Sequence, residues 1–204
     1  VAAARGGEVD QKPVIGWPVS DPASDAVVVD ISQVAGQIDG DRAVLVEVTN
    51  PFFRVGSSLK ELHRTEPAEA ARRLDRAVEH VRAEIAAAMD VGADGILYRL
   101  HGASAAHSTP MEYGGHYLER DREILSEIGD ARLNVLFLVG DEDLYFDFVS
   151  DLPAHVLAWD REATGLSLAT VRELRTGALA SSDPESEIML SHSGVRIADR
   201  LERP

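Results

Sequence analysis

Residues 67–100 read PAEAARRLDRAVEHVRAEIAAAMDVGADGILYRL, and the change of period inside this stretch decides the fold class. Leu74, Val78, Val81, Ile85 and Met89 recur at spacings of three and four, one apolar stripe along a helix from Pro67 to Met89. Thr65, Glu66, Pro67 and Glu69 form an N-terminal signature, and Gly92 can stop the helix. From Gly95 to Leu100 the pattern becomes a short, nearly continuous apolar run, as in a strand buried on both faces. A matching run, Ala43 to Val48, lies upstream. The unit therefore reads strand, helix, strand, which argues for parallel neighbours joined by a crossover.

Working outward, similar runs occur at Val14 to Trp17, Ala26 to Val29, Val135 to Val139, His155 to Trp159, Ala178 to Ala180 and Ile188 to Leu190. Helical patterns fill Gly115 to Ile128, Asp143 to Val149, Ser167 to Arg175 and Val195 to Leu201. Eight candidate strands suggest a (β/α)8 barrel, but 204 residues lie at the bottom of that fold's range. Two gaps, Pro18 to Asp25 and Ser181 to Glu187, hardly hold a crossover of ten or more residues. The expectation is an α/β fold, a (β/α)8 TIM-barrel-like domain over residues 1–204, reduced or incomplete. An open doubly wound sheet is the alternative.

Composition narrows the function. Lys and Arg total 20 against 35 Asp and Glu, a net charge of −15, which argues against duplex nucleic acid or an anionic membrane as the main partner. An anionic small molecule needs only a local cationic pocket. The absence of cysteine excludes disulfides, thiolate metal sites and cysteine nucleophiles. No apolar run approaches a membrane span and no signal-peptide pattern is visible, so the cytoplasm is the expected location. The chain opens on Val1 rather than Met, which suggests a missing or processed start. GxGxxG, P-loop, G-x-S-x-G and HExxH motifs are absent.

In a barrel, function collects at the C-terminal strand ends. Those ends carry Trp17, Asp30, Asn50, Arg99, His101, Asp141, Asp160 and His192, each of which can equally be a cap, a turn residue or a surface charge. The densest stretch runs from Arg99 to His107. Arg99 and His101 share one face of a strand. Arg99 can grip a carboxylate, His101 can act as general acid or base, and the small residues through Ser104 leave room for a ligand. His107, Tyr113 and His116 follow. The rival reading pairs Arg99 with a barrel-interior acid and makes His101 a loop cap. Asp141, Glu142 and Asp143 suit a cation or a helix N-terminus. The six-residue spacing of His101 and His107 matches no helical zinc-ligand pattern, and no metal is expected.

Several segments together resemble the uroporphyrinogen decarboxylase superfamily, which includes the methylcobamide:coenzyme M methyltransferases. They are Ala3-Ala4-Arg5-Gly6-Gly7-Glu8-Val9-Asp10-Gln11-Lys12-Pro13-Val14, Thr49-Asn50-Pro51-Phe52-Phe53 through Leu59, Val91-Gly92-Ala93-Asp94-Gly95-Ile96, Asn134 to Asp141 and Leu152 to Asp160. The resemblance runs from about residue 2 to 184 and implies a (β/α)8 barrel. It also implies cofactor-independent decarboxylation of an anionic tetrapyrrole or smaller carboxylated substrate. Asp25-Ala26-Val27-Val28-Val29-Asp30-Ile31 is similar to the strand bearing the family's catalytic aspartate, so the resemblance gives that role to Asp30. His101 and Tyr113 complete the catalytic set. Arg54, Arg99, Ser104, His107, Asp141, Asp160 and His192 would bind substrate. The family's arginine-rich loop after the first strand is missing here, where Gly16 to Pro22 carries no arginine. The methyltransferase branch's His-x-Cys zinc ligands fall on Phe137 and Val139, which bind no zinc. Corrinoid-linked methyl transfer and a non-catalytic ligand-binding barrel are the alternatives. The partner expected is a small-molecule substrate, with no nucleic acid and no membrane, and the reading admits a homodimer.

Overall fold

A computed structural model describes residues 14–17, 24–38, 42–56, 58–141, 143–175, 177–182 and 187–191. Eight strands form a closed ring in chain order: β1 (Val14–Gly16), β2 (Ala26–Val29), β3 (Ala43–Thr49), β4 (Gly95–Leu100), β5 (Val135–Leu138), β6 (Val156–Trp159), β7 (Ala178–Ser182) and β8 (Glu187–Ser191). Each of the first six runs parallel to the next, with Val46 opposite Ile96 and Tyr98 opposite Leu136 in the central pairs. β8 is antiparallel to both β7 and β1 and closes the ring. The barrel is thus TIM-like but incomplete as a set of β/α units. The gap after β7 is too short for a crossover helix, and β8 accordingly runs antiparallel to β7. The other short gap, before β2, nevertheless joins two parallel strands.

Alternation along the strands sorts side chains into two cores. Val44, Val46, Val48, Ile96, Tyr98, Leu100, Leu136, Leu138, Leu157 and Trp159 pack outward against helices. Ile15, Ala26, Val28, Ala43, Leu45, Leu97, Val135, Phe137, Val156, Ala158, Ala178 and Ala180 form a second cluster without a helical member, which is the lumen. Five alanines there keep the ring narrow enough for Leu45, Leu97 and Phe137 to fill it, as side chains do in small barrels.

The helices are α1 (Pro51–Val55), α2 (Leu59–Thr65), α3 (Pro67–Asp90), α4 (Pro110–His116), α5 (Leu118–Glu127), α6 (Phe146–Val149), α7 (Arg161–Thr164) and α8 (Leu168–Arg172), with a 3-10 helix over Ile31–Gly36. α3 buries the expected stripe of Leu74, Val78, Val81 and Ile85. It ends before Gly92, whose φ of 94° suits glycine. The single helix expected from Gly115 to Ile128 is instead two. Thr109 Oγ1 accepts from the Glu112 amide and the Glu112 carboxylate accepts from the Thr109 amide, a capping box that starts α4 with Pro110 in its first turn. The helix expected from Asp143 starts only at Phe146, because Asp143 has a left-handed φ of 49°. The pattern from Ser167 shortens to α8, with Ser167 as its cap. The expected helix from Val195 to Leu201 lies outside the described residues. No described helix is long and apolar enough to cross a membrane.

Candidate functional site

The C-terminal mouth of the barrel is built around Glu47. Alternation in β3 turns this acid toward the lumen between Leu45 and Thr49, and β4 turns Arg99 the same way. Arg99 donates from Nη1 to Glu47 Oε1 at 3.0 Å, while Trp17 Nε1 donates to Glu47 Oε2 at 2.7 Å. The guanidinium carbon of Arg99 stands 5.5 Å from the Trp17 ring centroid, a cation–π contact. Trp17 in turn packs against Phe137 at 5.1 Å between centroids. These four side chains cap the apolar lumen with one ion pair and two aromatic rings. The reading of Arg99 as partner to a barrel-interior acid is the geometry found.

His101 follows just after β4. Asn50 pins its backbone: the His101 amide donates to Asn50 Oδ1 at 3.2 Å, and Asn50 Nδ2 donates to the His101 carbonyl at 3.0 Å. One side chain therefore prolongs the β3–β4 ladder past its last strand residue. Behind Asn50 lies Asp121 of α5, wholly buried, which accepts from Tyr98 Oη at 2.6 Å and from Asn50 Nδ2 at 3.4 Å. Burial pushes the Asp121 carboxyl up to about 7, against the opposing pull of these two hydrogen bonds.

The His101 ring stacks on Phe53 with centroids 4.3 Å apart, and its Nε2 is buried with no partner. Burial, helped by the positive fields of Arg99 and His107, lowers its pKa to about 4, so the imidazole is neutral at physiological pH. A buried polar atom without a partner calls for an explanation, and beside a barrel mouth a ligand group is one. Arg99 Nε is a second such atom on the same inward face of β4.

The remaining candidates are distributed around the molecule. Asp30 caps the 3-10 helix, accepting from the Ser32 hydroxyl at 2.6 Å and the Ser32 amide at 2.8 Å, which holds its carboxyl below the usual range. It shares a hollow of about 390 Å³ with Trp17, Glu47 and Glu84. Asp160 caps α7, accepting from the Glu162 and Ala163 amides at 2.9 Å each. β2 and β6 stand on opposite sides of the ring, so Asp30 and Asp160 share a mouth without sharing a side. Arg54 donates from Nε to the Thr49 carbonyl and pairs with Glu84. Ser104 is buried, bridges to Leu144 and contacts His107 Nδ1 at 3.0 Å. The room expected beside Gly102 is taken, since a Cβ there would lie 2.7 Å from the Phe52 ring. Asp141 is exposed beyond β5. Tyr113 is fully buried in the outer core, against Tyr117, Tyr145 and Phe148, rather than in the lumen. His192 lies outside the described residues. Glu47 and Asp121 escaped the sequence reading, although each left a signal: a lone acid inside an apolar strand run, and an acid on the apolar side of α5.

The fold and mouth together define an α/β barrel of the TIM type with an incomplete set of β/α units. No family model matches the chain, and no curated protein matches it. Among solved structures it is similar to a methyltransferase from Methanosarcina mazei, with a TM-score of 0.64 and 16% sequence identity over 74% of this chain and 47% of that one. The chain thus spans about half the length of that structure, and at this identity the likeness is one of fold. Among the described residues, no group of three His, Asp or Glu side chains is placed to hold a metal ion.

Proposed function

We propose that this chain is a methyltransferase-like barrel acting at its C-terminal mouth, where a small nucleophilic acceptor meets a methyl carrier of the corrinoid-linked kind. The unpartnered Nε2 of neutral His101 is the observation that carries the reading at residue level. The fold likeness to a methyltransferase supports the reaction class. In such a transfer the acceptor forms a bond to the methyl carbon as the carrier's bond to it breaks. The carrier keeps that bonding pair, and the acceptor sheds its proton. His101 contributes a hydrogen-bond acceptor that aligns the acceptor's S–H or N–H, with Phe53 fixing the ring plane. The proton then passes to water, since an imidazole of such low basicity does not retain it. Phe137 and Val139 offer no metal-donor atoms, so no step runs through zinc. Decarboxylation has less support: Arg54 and Arg99 already carry carboxylates of this chain, and Asp30 is engaged as a cap.

The test follows methylcobalamin absorbance with a panel of small thiols and amines. Loss of the methyl–cobalt band with the wild-type chain, abolished in His101→Ala, is the expected result. No turnover with any acceptor would remove the reading. A second reading, a ligand-binding barrel without catalysis, is favoured by the engagement of Asp30, Asp160, Asn50 and Arg99 in internal hydrogen bonds. It predicts ligand-dependent quenching of Trp17 fluorescence without turnover.

A further inference from the structure

Beside the mouth, a groove of about 700 Å³ runs between α1 and α3, lined by Thr49, Phe53, Arg54, Arg73, Arg76 and His80 among others. Its charge is opposite to that of the chain. Glu69 alone serves three guanidiniums, those of Arg72 and Arg73 at 2.9 Å and Arg76 at 3.4 Å. Glu84 serves Arg54. Of these arginines, Arg54, Arg73 and Arg76 line the groove, with no carboxylate among the described lining residues, a local surplus of positive charge on a molecule with net charge −15. Glu69 is held down at about 2 by its hydrogen bonds to Arg73 and Arg72, the mark of a carboxylate shared among several cations. Arg73 and Arg76 have side chains 45% and 67% exposed, and ion pairs at such positions exchange partners at little cost. Among the described residues, none hydrogen-bonds or ion-pairs with His80.

An aromatic surface adjoins these cations. Phe53 rests one side of its ring on His101 yet is 57% exposed, the only large aromatic among the strongly exposed apolar residues described. A ring open to solvent beside fork-shaped cations matches a ligand with a flat part and a tetrahedral anionic part. The groove's size falls within the span of small-molecule pockets, roughly 300–1,000 Å³. We propose that this groove binds a phosphate ester carrying a flat ring, with the ring on Phe53 and the phosphate on Arg73 and Arg76. The site lies beside the mouth, shares Phe53 with the methyl-transfer reading and does not rest on that reading.

Calorimetric titration with adenosine 5′-monophosphate, adenosine and inorganic phosphate tests it. The monophosphate binds at least tenfold tighter than either half. Arg73→Ala with Arg76→Ala weakens it at least tenfold and leaves the helix intact, since both positions are exposed and alanine favours helices. Phe53→Ala lowers the monophosphate to the level of inorganic phosphate. Arg64→Ala, in another groove, changes nothing. Circular dichroism of each variant confirms the fold. The proposal falls if the monophosphate binds no tighter than either half, or if the double variant, still folded, binds it unchanged. Neither result bears on methylcobalamin turnover, so the two readings fail separately.

Discussion

Two buried groups within one hydrogen-bonded array titrate in opposite directions. Asp121 is raised to about 7 from an ordinary 3.8, so the folded chain holds its proton more tightly than the unfolded chain does. Its contribution to stability is complete below about pH 4 and is lost as pH rises toward 7. His101 is lowered to about 4 from 6.5, so its contribution is present above about pH 6.5 and is lost as pH falls toward 4. The two slopes oppose each other across pH 4–6.5 and partly cancel in the wild type. Asp121→Asn keeps an acceptor for Tyr98 and removes the ionisation. Urea unfolding of this variant loses the fall in stability with rising pH, and at pH 8 it gains on the order of 1–3 kcal/mol over wild type. A parallel pH dependence in both chains would show that Asp121 does not ionise as its burial dictates. The His101 ring, followed by NMR, stays neutral to near pH 4, whereas a midpoint near 6.5 would mean that its site is wet. At the mouth, Glu47→Ala strips Trp17 Nε1 and the Arg99 guanidinium of their shared acceptor. It costs about 1–2 kcal/mol in urea midpoint and shifts Trp17 emission to the red.

At the scale of elements, the capping box on α4 makes a sharper case than the longer α3. Thr109→Ala removes the bond to the Glu112 amide and costs about 1 kcal/mol by urea denaturation. Glu66→Ala before α3 changes stability by less than about 0.5 kcal/mol, since Glu66 makes no side-chain cap. The same contrast explains what the sequence made legible. All eight strands could be read because each is an apolar run between polar turns, and the period change at Gly92 exposed the α3–β4 junction. The start of α4 was legible in Thr109-Pro110-Met111-Glu112, whereas the break at Tyr117 was hidden by the apolar spacing that continues through Leu118. α1 and α2 left no periodic trace, being too short to complete a stripe. The site was half visible. Spacing put Arg99 and His101 on one face, but only the register of β3 against β4 brings Glu47 to Arg99 and Asn50 to the His101 backbone. Asp30 and Asp160 carry the same strand-end signature whether they cap a helix or meet a ligand, and sequence cannot separate the two uses.

Over the whole molecule, closure depends on its least supported strands. β1 has three residues, and among the described residues no helix stands between β7 and β8. β8 bonds to both neighbours, with Met189 opposite Val14 on one side and Ser181 on the other. β3 and β4, by contrast, run seven and six residues beneath the long α3. Loss of ladder bonding in β8 therefore detaches the ring at its seam while β2–β7 keep their parallel pairing. Ile15, which fills the lumen from β1, is then exposed, and Trp17, one residue past β1, loses its seat against Phe137. Met189→Pro removes an amide from the seam and costs roughly 3 kcal/mol or more. Hydrogen exchange in this variant accelerates first in β1 and β8, and the Trp17 signal shifts before Trp159, buried in the outer core, responds. Simultaneous exchange of all eight strands would show that the ring opens only as a unit, and that the antiparallel strand is as integral to the barrel as the parallel ones.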